Sequence, residues 1–263
     1  MSSQIIFFEK NKLDQTFSNV TVTASQGDDF TTFMRNRNNF TAWVTSGSQD
    51  SDNTNIECVF DSDVQLTDII LVKHNFDSYT IQYWNGSSYT DFSTAINVSG
   101  NTSETTQHNF TQVTTTQIKL IITGTMTPDD DKFLFQFIAT DRIGQLEGWP
   151  IINPIDDKNR IVSKMLSGKK RIVENIGGLR CSLTVRNWSS DADLLIVEQL
   201  YNSKEGFLVW LGGGQESQFT AIRVGYRLED IYLMKTSNEY NPAYVSGIYT
   251  SGVKMKINLE EIA

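Results

Sequence analysis

Short apolar or alternating runs, separated by clusters of turn-forming residues, fill the first half of the chain. They predict strands at 5–8, 20–24, 41–44, 55–60, 68–73, 79–84, 117–122 and 133–140. Their spacing suits a β-sandwich rather than βαβ units, and helix signals are nearly absent. The clearest segment is Tyr79-Thr-Ile-Gln-Tyr-Trp-Asn-Gly-Ser-Ser-Tyr89. Tyr79, Ile81 and Tyr83 alternate with polar residues, and Asn85-Gly86 is a turn pair that tolerates positive φ. Residues 79–84 and 89–92 are therefore expected to pair as an antiparallel hairpin. A long polar excursion over 93–115 reads as an interruption before the sheet resumes.

Between Gly144 and Asp156 the pattern breaks into Gly148-Trp149-Pro150 and then Ile151-Ile152-Asn153-Pro154, and prolines this close interrupt both ladders and helices. The expected domains are 1–148 and 156–263, joined by a linker at 149–155 whose Trp149, Ile151 and Ile152 pack across the junction. The second half carries one helix signal, from Asp191 to about Tyr201. Ser190 is its N-cap, Asp191 and Asp193 lie in its first turn, and Leu194, Val197, Leu200 and Tyr201 fall at helical spacing. Strands are expected around it at 171–174, 181–186, 207–211, 230–234 and 253–259. The predicted fold class is mainly β: an N-terminal β-sandwich and a second β-rich domain with one flanking α-helix.

Composition supports this division. A chain of 263 residues suits two ordinary domains, and its richness in Thr, Ser, Asn, Phe, Tyr, Ile and Val is a β-leaning alphabet. No apolar run approaches the roughly 20 residues of a membrane-spanning helix, so no membrane insertion is expected. Ile5 to Phe8 is too short for a signal-peptide core and reads as a first strand. Seven Asn-X-Ser/Thr triplets, at Asn19, Asn39, Asn85, Asn97, Asn101, Asn109 and Asn187, are then chance products of an Asn- and Thr-rich chain. Cys58 and Cys181 lie far apart and are expected to be reduced and buried. A net charge of −9 argues against nucleic-acid binding, which needs Lys and Arg to neutralise phosphates. Its distribution is uneven. Residues 1–150 carry 18 acidic and 8 basic side chains, a balance of −10, whereas residues 151–263 carry 13 and 14, a balance of +1.

Catalytic signals are weak, and no enzyme activity, cofactor or metal is expected. His74 and His108 stand at strand edges without a Gly-X-Ser-X-Gly motif nearby, so ordinary hydrogen bonding is the expectation for both. Gly212-Gly213-Gly214 follows a strand but lacks the Lys-Ser/Thr of a phosphate loop and reads as a wide turn. Asp129-Asp130-Asp131 and Gly27-Asp28-Asp29 lack the alternating carboxylates of a calcium loop and read as solvated turns.

In the first half, Trp43 precedes the strand at 55–60, followed by Asp68-Ile-Ile-Leu-Val-Lys-His-Asn75, the alternating strand at 79–84 and the late strand Gln117-Ile-Lys-Leu-Ile121. This order resembles the galactose-binding-like, or discoidin-type, jelly roll over residues 15–145, without that family's frequent terminal disulfide. The resemblance implies ligand-binding loops at one end of the sandwich, with Arg35, Asn36 and Arg37 in one loop and His74 and Asn75 in another. Fixed donors and acceptors of this kind suit sugar hydroxyls.

The second half contains Ser167-Gly-Lys-Lys-Arg171, then 194–214 ending in Gly206-Phe-Leu-Val-Trp-Leu-Gly-Gly-Gly214, then Gly225-Tyr-Arg-Leu-Glu-Asp-Ile-Tyr232. Over residues 156–263 it is similar to phage tail proteins of the distal-tail or baseplate-hub type. That likeness implies a virion structural protein, assembled in the host cytoplasm into the tail, whose partners are copies of itself in a ring, neighbouring tail proteins and a host-surface glycan. The near-neutral second half is the expected oligomer interface, through Trp210, Tyr226, Tyr232, Tyr240, Tyr244 and Tyr249. Two other readings remain open: a carbohydrate-binding lectin or adhesin, and an accessory domain of a hydrolase.

Overall fold

The computed structural model describes residues 3–16, 19–37, 41–153, 159–164, 170–175, 180–185, 191–211, 221–223, 226–227, 231–240, 243–246 and 251–262. The chain passes in order through β1 (Ser3–Phe8), β2 (Val20–Ala24), β3 (Trp43–Val44), β4 (Thr54–His74), β5 (Phe76–Trp84), β6 (Tyr89–Val98), β7 (Thr106–Thr125) and β8 (Phe133–Thr140), with 3-10 turns at Asp28–Phe30 and Phe33–Arg35. It continues through β9 (Arg142–Asn153), β10 (Asn159–Lys164), β11 (Lys170–Asn175), β12 (Arg180–Val185), α1 (Asp191–Asn202), β13 (Phe207–Trp210), β14 (Ala221–Arg223), β15 (Tyr226–Arg227), β16 (Ile231–Thr236), β17 (Ala243–Ser246) and β18 (Ser251–Glu261). No helix among the described residues is long and apolar enough to cross a membrane. Two units form: Phe7–Ile143, and Met1–Ile6 together with Gly144–Ala263.

In the unit Phe7–Ile143 the strand order is β3-β8-β4-β7-β5-β6, with β2 also on β4. The antiparallel β4–β7 pairing shifts register between Val59 and Val64 and again between Leu66 and Asp68. Bulges bend a strand and raise its twist, which lets one long strand serve two layers. Before the bulges β4 pairs with β2, and after them with β8. The layers enclose one core containing Trp43, Ile56, Cys58, Ile69, Leu71, Tyr79, Ile81, Ile118, Leu120 and Phe137. Alternation places these side chains: Ile56, Cys58 and Phe60 are buried, while Glu57 and Val59 between them face outward. This is the jelly-roll β-sandwich that the sequence pattern predicts.

One local expectation needs correction. Residues 93–115 are mostly strand rather than an interruption, lying in the second half of β6 and the first half of β7. Thr94, Asn97, Asn109, Thr111, Gln112 and Thr114 face solvent on an antiparallel layer, and Phe110 supplies an inward anchor. The β5–β6 hairpin forms as predicted, with Trp84 opposite Tyr89 and residues 85–88 as its loop. Asn85 Oδ1 accepts from the backbone N–H groups of Ser87 and Ser88, both at 3.0 Å, and Gly86 takes φ 97°.

In the other unit, strands run β12-β9-β1-β13-β16-β18-β17, and β12 also pairs with β18. That last pairing closes six strands into a ring. The linker expected at 149–155 is corrected for 149–153, which continue β9. Pro150 stands opposite Leu183 and Ile152 opposite Cys181, and 154–155 lie outside the described residues. A proline removes one donor but keeps φ within the extended range, so a strand rich in Trp and Ile survives it. The expected boundaries shift as well, since β1 takes its place between β9 and β13. Helix α1 agrees with its prediction, burying Val197 and Leu200. Ser190 and the glycines at 212–214 lie outside the described residues.

Candidate functional site

One end of the jelly roll is built from four connections that brace one another. Residues 25–33 lead toward β3, 45–53 join β3 to β4, Asn75 joins β4 to β5, and 126–132 join β7 to β8. Asp50 Oδ1 accepts from Thr125 N at 2.9 Å, and Asp129 Oδ1 accepts from Asp50 N at 3.0 Å. Asn75 Nδ2 donates to Asp131 O at 2.8 Å, while Asn75 Oδ1 accepts from Phe133 N at 3.0 Å. Ser25 and Asn55 exchange backbone and hydroxyl hydrogen bonds at 2.9 and 3.0 Å, tying the first connection to the start of β4. Asp28, Asp50, Asp52, Asp129, Asp130 and Asp131 each accept from at least one backbone N–H, which fixes the shape of the loops.

On this framework lies an exposed aromatic pair. Phe30 and Phe33 are 46% and 36% exposed, and their rings stack with centroids 5.9 Å apart at 18°. Gly27, at φ 65°, seats this segment against β3 so closely that a Cβ there would lie 2.5 Å from Val44 O. Val44 itself is 38% exposed. Burying a Phe contributes about 1.5–3 kcal/mol, so the fold forgoes that gain twice within four residues. Sequence reasoning missed the pair. Its trace was two Phe at i and i+3 inside a Gly-Asp-Asp turn segment, where neither strand alternation nor a helix accounts for them.

The residues expected to touch a ligand are engaged in holding the fold. His74 and Asn75 do reach the loop end, but His74 is fully buried and Asn75 nearly so. His74 Nδ1 accepts from Phe76 N at 3.0 Å, and its Nε2 lies 3.0 Å from Thr106 Oγ1. Tyr79 OH donates to that same oxygen at 2.8 Å and lies 2.8 Å from His108 Nε2. Burial pushes His74 down to about 3 and His108 down to about 4, and lifts Tyr79 to about 12. Arg35 Nε and Nη2 donate to Leu13 O and Val20 O at 2.6 and 3.2 Å. Arg37 bonds Asp14 and Thr16, and Asn36 Nδ2 donates to Thr41 Oγ1 at 3.1 Å. The two arginines clamp the 11–16 segment, so the structure does not assemble the five residues into one surface.

In the second unit, Trp210 and Tyr232 are 3% and 2% exposed. As part of that unit's own core they offer no surface to a partner, which corrects their expected interface role. Tyr240 is exposed and packs against Tyr201 with centroids 5.4 Å apart. The side chains of Tyr226 and Tyr244, and all of Tyr249, lie outside the described residues. A hollow of about 410 Å³ opens beside Arg180, Ser182, Lys256, Asn258 and Glu260, with Arg180 paired to Glu260 at 3.0 Å. Both cysteines are free and buried, and burial raises the Cys181 thiol to about 12. No cluster of His, Cys, Asp or Glu among the described residues is arranged to hold a metal ion.

No family model matches this chain, and no curated protein matches it. Solved structures similar to part of it include chitosan-binding module 1 derived from a chitosanase/glucanase of Paenibacillus sp. IK-5, 22% identical with a TM-score of 0.41, covering 50% of this chain and 98% of the module. Another is CpGH89CBM32-5 from Clostridium perfringens, solved in complex with GalNAc-β-1,3-galactose. It is 14% identical with a TM-score of 0.38, covering 46% of this chain and 94% of that one. A pectin-binding carbohydrate-binding module is 19% identical with a TM-score of 0.36, covering 46% of this chain and 91% of the module.

Proposed function

We propose that the jelly roll is a carbohydrate-binding module and that its contact surface is the loop end carrying Phe30 and Phe33. The observation that supports this reading is the stacked, exposed aromatic pair held on a braced framework. Sugar rings present C–H faces that pack on aromatic rings, while their hydroxyls need fixed polar partners at the rim. Ser46, Gln49, Asp52 and Asp129 are exposed on the neighbouring connections and offer such partners. The role is binding alone, with no reaction step. A glycan array on the full chain, followed by affinity electrophoresis of a Phe30→Ala/Phe33→Ala variant, tests it. Retention by at least one glycan, lost in the variant, is expected. A rival surface is the half-buried Trp84–Tyr89 pair at the β5–β6 hairpin, with centroids 5.4 Å apart. Loss of retention in Trp84→Ala but not in the double variant would move the site there.

A second reading assigns the ring-containing unit to assembly, as a virion tail component bound to copies of itself and to neighbouring tail proteins. It is favoured by the exposed Leu195 and Tyr240 on that unit and by the charge contrast between the two halves. Light scattering on the full chain tests it, and a monomer at every concentration counts against it.

A further inference from the structure

We infer that Lys132 is a built-in cation that positions the 48–52 loop beside the proposed glycan-binding face. The inference rests on that reading only for what the loop serves. Lys132 is the last residue of the 126–132 connection, immediately before β8, and its side chain is fully buried. Its Nζ donates to Gln49 O at 2.9 Å, to Asp52 O at 3.2 Å and to Ser48 Oγ at 3.4 Å. An ammonium has three donors and no acceptor, so these three oxygens use its whole capacity. All three belong to one loop.

A buried charge is tolerated only where such partners compensate its lost hydration. A space-filling role would be met at lower cost by Met or Leu. The neighbouring Asp131 supplies the complementary half of the grip, with its Oδ1 accepting from Ser48 N at 3.2 Å. The main chains close the base: Thr45 N donates to Lys132 O at 2.9 Å, and Lys132 N donates to Thr45 Oγ1 at 2.8 Å. Carbonyls that would otherwise point at bulk water are gathered around one positive centre, as they would be around a metal ion. Gln49 and Asp52, whose side chains are exposed, are thereby held by their backbones. Asp50 between them remains bonded to Thr125 and Asp129.

Hydrogen exchange by mass spectrometry on the full chain tests this with Lys132→Met and Lys132→Ala. In Lys132→Met, amides of 48–52 are expected to exchange about ten-fold faster or more, while those of 118–122 keep their protection. In Lys132→Ala, added n-propylammonium is expected to restore loop protection, and 1-propanol at equal concentration is not. Glycan retention should follow loop protection in each sample. Unchanged exchange in Lys132→Met, equal rescue by the alcohol, or failure of both variants to fold with and without the amine would each overturn the assignment. If the wild-type chain retains no glycan, the carbohydrate reading fails, while the exchange measurements still decide the role of Lys132.

Discussion

The phenol oxygen of Tyr79 lies 2.8 Å from Nε2 of His108 inside the jelly roll, and through Thr106 it also joins His74. The chain's only two histidines, 34 positions apart, thus share one interior network. His74 Nδ1 accepts from the backbone N–H of Phe76, which requires an unprotonated nitrogen there. Adding a proton would set donor against donor.

This arrangement makes stability fall in acid. Burial first, and for His74 the neighbouring His108 second, hold the folded values at about 3 and about 4, below the ordinary 6.5. Below pH 6.5 the unfolded chain therefore binds more protons than the folded one. The contribution is complete above that pH and is lost as pH falls toward the folded values. Urea midpoints are expected to drop between neutral pH and about pH 4, and less steeply in a His74→Gln/His108→Gln variant. Equal slopes in the two proteins would assign the acid sensitivity to carboxylates instead.

Asp68 is fully buried and accepts from Arg142 Nη2 and Gln107 Nε2, both at 2.7 Å, and from Thr67 Oγ1 at 2.8 Å. Asp68→Ala strands these donors and should cost about 3 kcal/mol, near the lower end for a broken buried pair because Arg142 keeps partial contact with water. Asp68→Asn preserves the shape and should cost less. Chemical denaturation measures both, and a loss below about 1 kcal/mol for Asp68→Ala would show that water replaces the carboxylate.

Gly86 and Gly27 both have positive φ, but only Gly27 is crowded. Gly86→Val should cost about 1–2 kcal/mol from backbone conformation alone. Gly27→Ala, which adds a contact with Val44 O, should lower the melting temperature further. Calorimetry on the two variants decides the order.

A fragment of residues 7–143 is expected to fold cooperatively by itself, since it contains the whole jelly-roll core. A fragment of residues 151–263 is expected not to, because it lacks β1 and residues 142–150 of β9, adjacent members of the strand ring. Far-UV circular dichroism with thermal melting tests both. A cooperative melt of the shorter fragment would mean that the ring closes without them.

Much of the fold was legible because its cues are local. Alternation at 79–84, the Asn85-Gly86 pair and the apolar run at 133–140 depend only on neighbours in sequence, and each became the expected strand or turn. The same holds for α1, whose acidic first turn and apolar spacing identify it without tertiary context. The candidate site was far less legible. Arg35, His74 and Asn75 have side chains suited to a sugar, and equally suited to satisfying loop carbonyls, and residue type does not distinguish the two uses.

The sequence by itself determined the β class, the alternation at 79–84 and helix α1, because side-chain period and turn chemistry act over a few residues. Only the tertiary structure decided that β1 joins the far end of the chain, that β9 runs through Pro150, and that Lys132 is buried while Phe30 and Phe33 are not. Those outcomes depend on which distant backbone groups meet. A strand's partner is chosen by long-range hydrogen bonding, and a side chain's burial by what packs over it, and neither is encoded in the few residues on either side.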